Sequence, residues 1–171
     1  MTALIPAWVD GVLAPVEKLA VHRRGLRHRA VSVFVLRGAN LLIQRRALGK
    51  YHTPGLWANT CCTHPHWGEA AEACAIRRLR EELGIAGVTL EPRGQVEYRA
   101  DVGQGMIEHE RVDVFRAEAP ETLALAPDPD EVMDTRWITL EGLRERISSD
   151  PGAFTPWLRI YLDDHADQIL G

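Results

Sequence analysis

No run of apolar residues in the 171-residue chain approaches the roughly 20 that a membrane-crossing helix requires, so no span is expected. The opening residues MTALIPAWVDG carry no basic stretch ahead of an apolar core and a cleavage site, which points to a cytoplasmic location. Cysteine is scarce. The chain has three, with Cys61 and Cys62 adjacent, an awkward set for a disulfide framework, and no Cys-x-x-Cys spacing suggests structural zinc. Positive charge is not in excess either: 20 Lys and Arg stand against 24 Asp and Glu, a net charge of -4. The protein as a whole therefore has no electrostatic reason to seek nucleic acid or an anionic membrane, and the expected partner is a small molecule met by a monomer or weak dimer. Internal repeats and low-complexity tracts are absent from the sequence. With 46% apolar residues, the chain suits one domain over 1–171, with a core of about 30–165 preceded by a hairpin and basic segment over 1–29.

What is present alternates strand and helix. Apolar runs at 7–9 and 12–13 flank Asp10-Gly11, a two-residue hairpin signal. The polar, basic segment 18–29 gives way to Ala30-Val31-Ser32-Val33-Phe34-Val35-Leu36, which reads as a strand covered on both faces. A second strand is expected over 40–44, after which Arg45, Arg46 and Lys50 lead into a Pro54-Gly55 turn. Residues 69–83 lack proline and glycine, carry acid in the first turn and stop at Gly84, which predicts a helix with a glycine cap. Further strands are expected over 95–100, 108–116 and 132–140, with an acidic, proline-containing loop over 126–131 and a helical tail over 156–170. Interspersed elements of this kind predict an α/β sandwich in which helices flank a mixed sheet.

Three groups of residues are able to carry chemistry. At about 100° per residue, Ala75, Leu79 and Leu83 define the buried stripe of the 69–83 helix, Glu82 leans inward and Glu81 faces solvent. An inward carboxylate needs hydrogen bonds, an arginine or a cation, and Arg78 lies one turn back. Two readings stand: a structural Arg-Glu pair on the helix flank, or a divalent-metal ligand beside a phosphate-binding arginine. On the 108–116 strand, Glu108 and Glu110 share a face with Val112 and Val114. Two carboxylates turned inward together require a cation between them, or one pKa rises; an exposed end of an edge strand is the other reading.

His22, His28 and His64, with those carboxylates, would suit manganese, zinc or iron better than calcium. The chain has seven histidines, however, and spacing alone does not choose these over His52, His66, His109 and His165. Cys62 reads as a small buried hydrophobe, a nucleophile or a proton carrier. His64 is badly aligned for a Cys-His pair on an extended run, so covalent catalysis is discounted.

Gly68-Glu69 followed by Arg77-Arg78-Leu79-Arg80-Glu81-Glu82-Leu83-Gly84-Ile85 resembles the Nudix box, a loop-helix-loop that presents carboxylates to a divalent cation on a diphosphate. Thr63 stands where that box has its leading glycine, and Arg78 where it has the glutamate of its Arg-Glu pair. These departures resemble the isopentenyl-diphosphate isomerase family, a likeness that covers nearly the whole chain. Its specific stretches are Leu26-Arg27-His28-Arg29-Ala30-Val31-Ser32-Val33-Phe34, Gln44-Arg45-Arg46 with Lys50, Trp57-Ala58-Asn59-Thr60-Cys61-Cys62-Thr63-His64-Pro65, Glu97-Tyr98-Arg99-Ala100, Glu108-His109-Glu110 and Phe154-Thr155-Pro156-Trp157.

The resemblance implies a Nudix-like fold and an isomerase of isoprene biosynthesis that interconverts isopentenyl and dimethylallyl diphosphate through a tertiary carbocation. It implies that Cys62 and Glu110 are the acid/base pair. A carbocation in turn calls for a dry, aromatic pocket, for which Trp157 is the first candidate and Trp57 the second, and Tyr98 is a candidate hydrogen-bond partner that tunes Glu110. Lys18, Arg46, Lys50 and Arg78 match positions that contact the diphosphate. His22, His28, His64, Glu108 and Glu110 match ligands of a tightly held Mn2+ or Zn2+, and Glu82 helps hold Mg2+ on the substrate diphosphate. The alternatives are a Nudix hydrolase of a nucleoside diphosphate derivative, and a non-enzymatic module that takes up metal without turnover.

Overall fold

The computed structural model describes residues 3–171; Met1 and Thr2 of the opening stretch lie outside the described residues. The chain begins with β1 (Leu4–Val9) and β2 (Val12–Glu17), paired antiparallel. Asp10 and Gly11 both adopt positive φ, 50° and 80°, the backbone that a two-residue hairpin turn with right-handed strand twist demands. The basic segment that follows folds as a short helix, α1 (Lys18–Arg24), whose seven residues are too few to show a helical repeat in the sequence. Its ends carry local causes: the Glu17 carboxylate accepts from the amides of Leu19 and Ala20, and Gly25 stops the helix at φ 64°.

The centre of the sheet is β3 (Arg27–Arg37). Its flanks are antiparallel: β1 at Ala7–His28, β4 (Asn40–Arg46) and the short β6 (Cys61–Thr63). β8 (Met106–Glu118) lies parallel to β3 and is itself paired antiparallel to β7 (Glu91–Gly103). β5 (Trp57–Ala58) and β9 (Val132–Thr139) extend the β4 side. The expected strands are all present, although β7 and β8 run longer than the apolar alternation indicated.

Alternate residues of β3 feed two cores, as a strand covered on both faces must. Val31, Val33 and Val35 pack with Cys74, Ala75, Leu79 and Leu83 of α2 (Ala71–Leu83). Ala30, Phe34 and Leu36 pack with Val112, Val114 and the helical tail, α4 (Pro156–Asp164) and α5 (Ala166–Leu170), through Trp157, Leu158, Tyr161 and Ile169. Between β9 and the tail lies α3 (Leu140–Ser149), capped by the Thr139 hydroxyl on the Gly142 amide and followed by a 3-10 turn at Pro151–Ala153. Among the described residues no helix is long and apolar enough to cross a membrane.

α2 ends at Gly84, φ 66°, whose amide bonds back to the Arg80 carbonyl. The loop after β8 docks on this end: Ala126 donates to the Leu83 carbonyl at 2.8 Å and Asp128 to that of Glu82 at 2.9 Å. A Cβ on Gly84 would lie 2.7 Å from Ala126 Cβ and 3.0 Å from its carbonyl oxygen. Gly84→Ala therefore combines a left-handed penalty with a backbone clash and is expected to lower unfolding free energy by about 3 kcal/mol. Urea denaturation checks this; a change within about 0.5 kcal/mol, the range of ordinary surface substitutions, would show that the loop yields freely.

Candidate active site and metal centre

Strand register assembles the site. Parallel pairing sets His28 beside Glu110, β7–β8 pairing sets Tyr98 beside Glu110, and β3–β6 pairing sets Ser32 beside Cys62. Period-two alternation turns Glu108, Glu110, Val112 and Val114 to the interior, and both carboxylates are buried. α1 adds His22 from above, and the residue after β6 is His64.

The ligand atoms of His22, His28, His64 and Glu108 all lie within 4.8 Å of one another. Glu108 Oε1 is 2.9 Å from His22 Nε2, and Oε2 is 3.2 Å from His28 Nε2. His64 Nε2 faces Glu110 Oε2 at 3.4 Å and Glu108 Oε2 at 3.8 Å. The far nitrogens of two rings are spoken for by carbonyls, which only accept: His22 Nδ1 donates to Lys18 O at 2.6 Å and His28 Nδ1 to Leu26 O at 2.8 Å. A neutral ring so fixed turns the lone pair of Nε2 toward the carboxylates, the orientation of a metal-ligating histidine. Buried His64 Nε2 has no hydrogen-bond partner, and burial, the largest influence, holds that ring well below the usual histidine range. Lone pairs facing carboxylate oxygens call for a cation between them. The residues present thus fit a divalent ion, and the nitrogen-rich donor set suits manganese, zinc or iron over calcium.

The two carboxylates differ sharply. Burial and then the charge of Glu108 push Glu110 up to about 8. Against the upward pull of burial, the imidazoles of His22, His28 and His52 set against its oxygens hold Glu108 well below the usual carboxylate range. Against burial, too, the same Glu108 contacts raise His22 and His28, so positive charge is favoured at this point. Tyr98 donates its hydroxyl to Glu110 Oε1 at 2.5 Å. Cys62 donates to Asn59 Oδ1 at 2.8 Å and has Ser32 Oγ at 3.2 Å. Burial raises its thiol far above the ordinary range.

Lys18, Arg46, Lys50 and Arg78 line the same cavity as Cys62, Glu110 and Trp157. Burial, and then the neighbouring Lys50 and Arg78, bring Lys18 down to about 8. The Trp157 ring is buried, with the Arg46 guanidinium 5.3 Å from its centroid. Trp57 does not reach the cavity; its ring meets Arg136 at 5.2 Å instead. That expectation is corrected by the pairing of β5 with β4, which carries Trp57 into the hydrophobic core.

Glu82 is buried on the cavity wall, as the helix geometry anticipated, while Glu81 is exposed. Glu82 Oε1 accepts from Arg78 at 2.7 Å, and Oε2 accepts from Gln44 at 3.0 Å and from the Cys61 thiol at 3.2 Å. It stands apart from the cluster of His22, His28, His64 and Glu108. Sequence reasoning passed over three residues. His52 places Nε2 2.5 Å from Glu108 Oε1, Tyr51 places its hydroxyl 3.4 Å from His22 Nε2, and Glu131 pairs with Lys50 and, at 3.3 Å, with Arg78. No spacing singles out Tyr51 or His52; the acidic loop ending at Glu131 was visible, but its docking is a tertiary fact.

A NUDIX domain model matches residues 26–158. Isopentenyl-diphosphate Delta-isomerase of Cereibacter sphaeroides is 66% identical over 171 residues, spanning 100% of this chain and 97% of the relative. The enzyme of the same name from Rhodobacter capsulatus is 64% identical, covering 98% of this chain and 95% of its own. Among solved structures, a Deinococcus radiodurans protein superposes with a TM-score of 0.73 at 18% identity, over 93% of this chain and 96% of that one. A MutT NUDIX hydrolase from Burkholderia pseudomallei gives 0.62 at 23% identity, over 81% and 98%. These two likenesses speak for the fold alone. With full-length identity above 60% to named relatives and the Nudix fold in place, the chain belongs to the isopentenyl-diphosphate Delta-isomerase family of Nudix proteins.

Proposed function

We propose that this chain interconverts isopentenyl diphosphate and dimethylallyl diphosphate by moving a proton onto one carbon and off another. The observation that carries this reading is one cavity in which two proton-carrying groups, Cys62 and Glu110, stand with a basic wall and a buried indole. Protonating the terminal alkene carbon leaves a tertiary carbocation; loss of a proton from the carbon nearer the diphosphate restores a double bond, and no bond to phosphorus changes. An alkene is a poor base, so the acid must be held close and aligned. Cys62, gripped by Asn59 and Ser32, and Glu110, gripped by Tyr98, are so held.

The carbocation would alkylate water. Trp157 offers a π face to the positive charge and helps keep the cavity dry. Lys18, Arg46, Lys50 and Arg78 bind the diphosphate, and that remote binding energy aligns the five-carbon tail. His22, His28, His64 and Glu108, with Glu110 alongside, would hold Mn2+ or Zn2+, which supplies fixed positive charge that lets the paired carboxylates share one site. Glu82 is the carboxylate we assign to the Mg2+ carried by the substrate diphosphate, because it shares the cavity wall with Arg78.

The hydrolase alternative is disfavoured by Arg78: where a metal-binding carboxylate would stand, a guanidinium pairs with Glu81, Glu82 and Glu131. Incubation with isopentenyl diphosphate and magnesium is expected to yield dimethylallyl diphosphate with no inorganic phosphate. Phosphate release without isomer would overturn the reading in favour of hydrolysis.

A further inference from the structure

His52 belongs to the loop between β4 and β5 and is buried. Its imidazole wedges between Tyr51, with ring centroids 4.1 Å apart, and Trp157, at 5.6 Å. Nε2 lies 2.5 Å from Glu108 Oε1, while Nδ1 lies 2.9 Å from Thr53 Oγ1 and 3.5 Å from Arg46 Nη2. A guanidinium only donates, so Nδ1 is the accepting nitrogen and Nε2 carries the hydrogen. That N–H points at Glu108 Oε1, the oxygen that also faces His22, and leaves Oε2 to His28 and His64. His52 is not among the four clustered ligands; with one nitrogen accepting and the other donating to a carboxylate, it has no lone pair left for an ion.

The adjoining backbone indicates how firmly this arrangement is held. Thr53 sits at φ 46°, a left-handed conformation that is a genuine outlier for a β-branched residue. Its hydroxyl rests on His52 Nδ1, and Arg46 Nη2 holds the His52 carbonyl at 3.1 Å. Pro54 and Gly55, φ 73°, complete the turn, and the Gly55 amide bonds to the Arg46 carbonyl at 2.9 Å. The loop thus strains one residue to keep a neutral imidazole pointed at one carboxylate oxygen.

We propose that His52 is a positioning residue of the metal centre, donating Nε2–H to Glu108 so that its carboxylate is presented to the ion in one orientation, with Thr53 and Arg46 fixing the ring. The proposal rests on the reading of His22, His28, His64 and Glu108 as metal ligands. Partners of this kind typically carry about 10–100-fold in metal affinity.

The test is titration of the metal-stripped chain with zinc alone and manganese alone, without substrate, by competition against a chelator, with thermal melting of the stripped proteins alongside. His52→Phe, which keeps the ring between Tyr51 and Trp157, is expected to weaken binding about 10–100-fold. His52→Gln, whose amide N–H reaches toward Glu108, is expected to recover most of that loss. Thr53→Gly relieves the left-handed strain and removes the hydroxyl, so it is expected to hold or raise the melting temperature while lowering metal affinity in the same direction, a split that a merely structural role would not produce. Wild-type affinity in His52→Phe overturns the proposal. If His52→Phe does not fold, Thr53→Gly decides: unchanged affinity overturns it and reduced affinity supports it. A wild-type chain that takes up neither ion would instead sink the metal-centre reading itself.

Discussion

Cys62→Ala and Glu110→Gln are each expected to lower turnover by about 10²–10⁴-fold, the usual contribution of a positioned acid or base, while the protein stays folded. Glu110→Gln preserves shape, and its amide oxygen still accepts from Tyr98, which bonds Glu110 at 2.5 Å. The substitution also removes the repulsion from Glu108 that helps push Glu110 up to about 8, so stability is expected to hold or rise. Cys62→Ala removes a half-buried thiol from between Asn59 and Ser32; Ser32 keeps its 2.8 Å contact with Tyr161 and Asn59 keeps its donation to the Val33 carbonyl. Steady-state rates read with melting temperatures check the pair. Near-normal turnover in Cys62→Ala would show that the thiol fills space and carries no proton.

Arg78→Met is expected to fail in two separable ways. Its guanidinium reaches Glu81 at 2.8 Å, Glu82 at 2.7 Å and Glu131 at 3.3 Å. Removing it leaves Glu82 as a buried carboxylate with only Gln44 and the Cys61 thiol as partners. Breaking a buried pair from one side costs about 3 kcal/mol, readable in urea denaturation. Diphosphate binding weakens as well, so KM rises. The double variant Arg78→Met/Glu82→Met separates the two effects: with no orphan charge it recovers most of the stability, but not the affinity for substrate. A double variant with wild-type KM would remove Arg78 from the diphosphate site.

Local periodicity accounts for what was legible in the sequence. The two-residue repeat of β8 placed Glu108 and Glu110 inward with Val112 and Val114, and the helical repeat of α2 turned Glu82 in and Glu81 out. Tyr98 meeting Glu110 followed from the chemistry expected of the site, and the β7–β8 register supplies the physical cause. Illegible features depend on packing between distant segments. α1 is seven residues long and buries only Val21 and His22, too little apolar surface to register as a stripe, although Glu17 and Gly25 cap it. His52 approaches Glu108 across 56 positions, and only the fold brings the β4–β5 loop over β8. Nor does any local rule anticipate a threonine at positive φ, or choose β8 as the parallel neighbour of β3. The four clustered residues His22, His28, His64 and Glu108 come from α1, β3, the end of β6 and β8, so their convergence is a property of the sheet order; spacing could not rank seven histidines, and the family resemblance supplied the choice.

The central claim is that this site changes carbon–hydrogen bonds and leaves phosphorus–oxygen bonds alone. Incubation with isopentenyl diphosphate and magnesium in deuterium oxide, followed by proton and phosphorus NMR, tests it most directly. Dimethylallyl diphosphate carrying deuterium is expected, with both phosphorus resonances of the diphosphate retained. Inorganic phosphate appearing without deuterium entering carbon would contradict it.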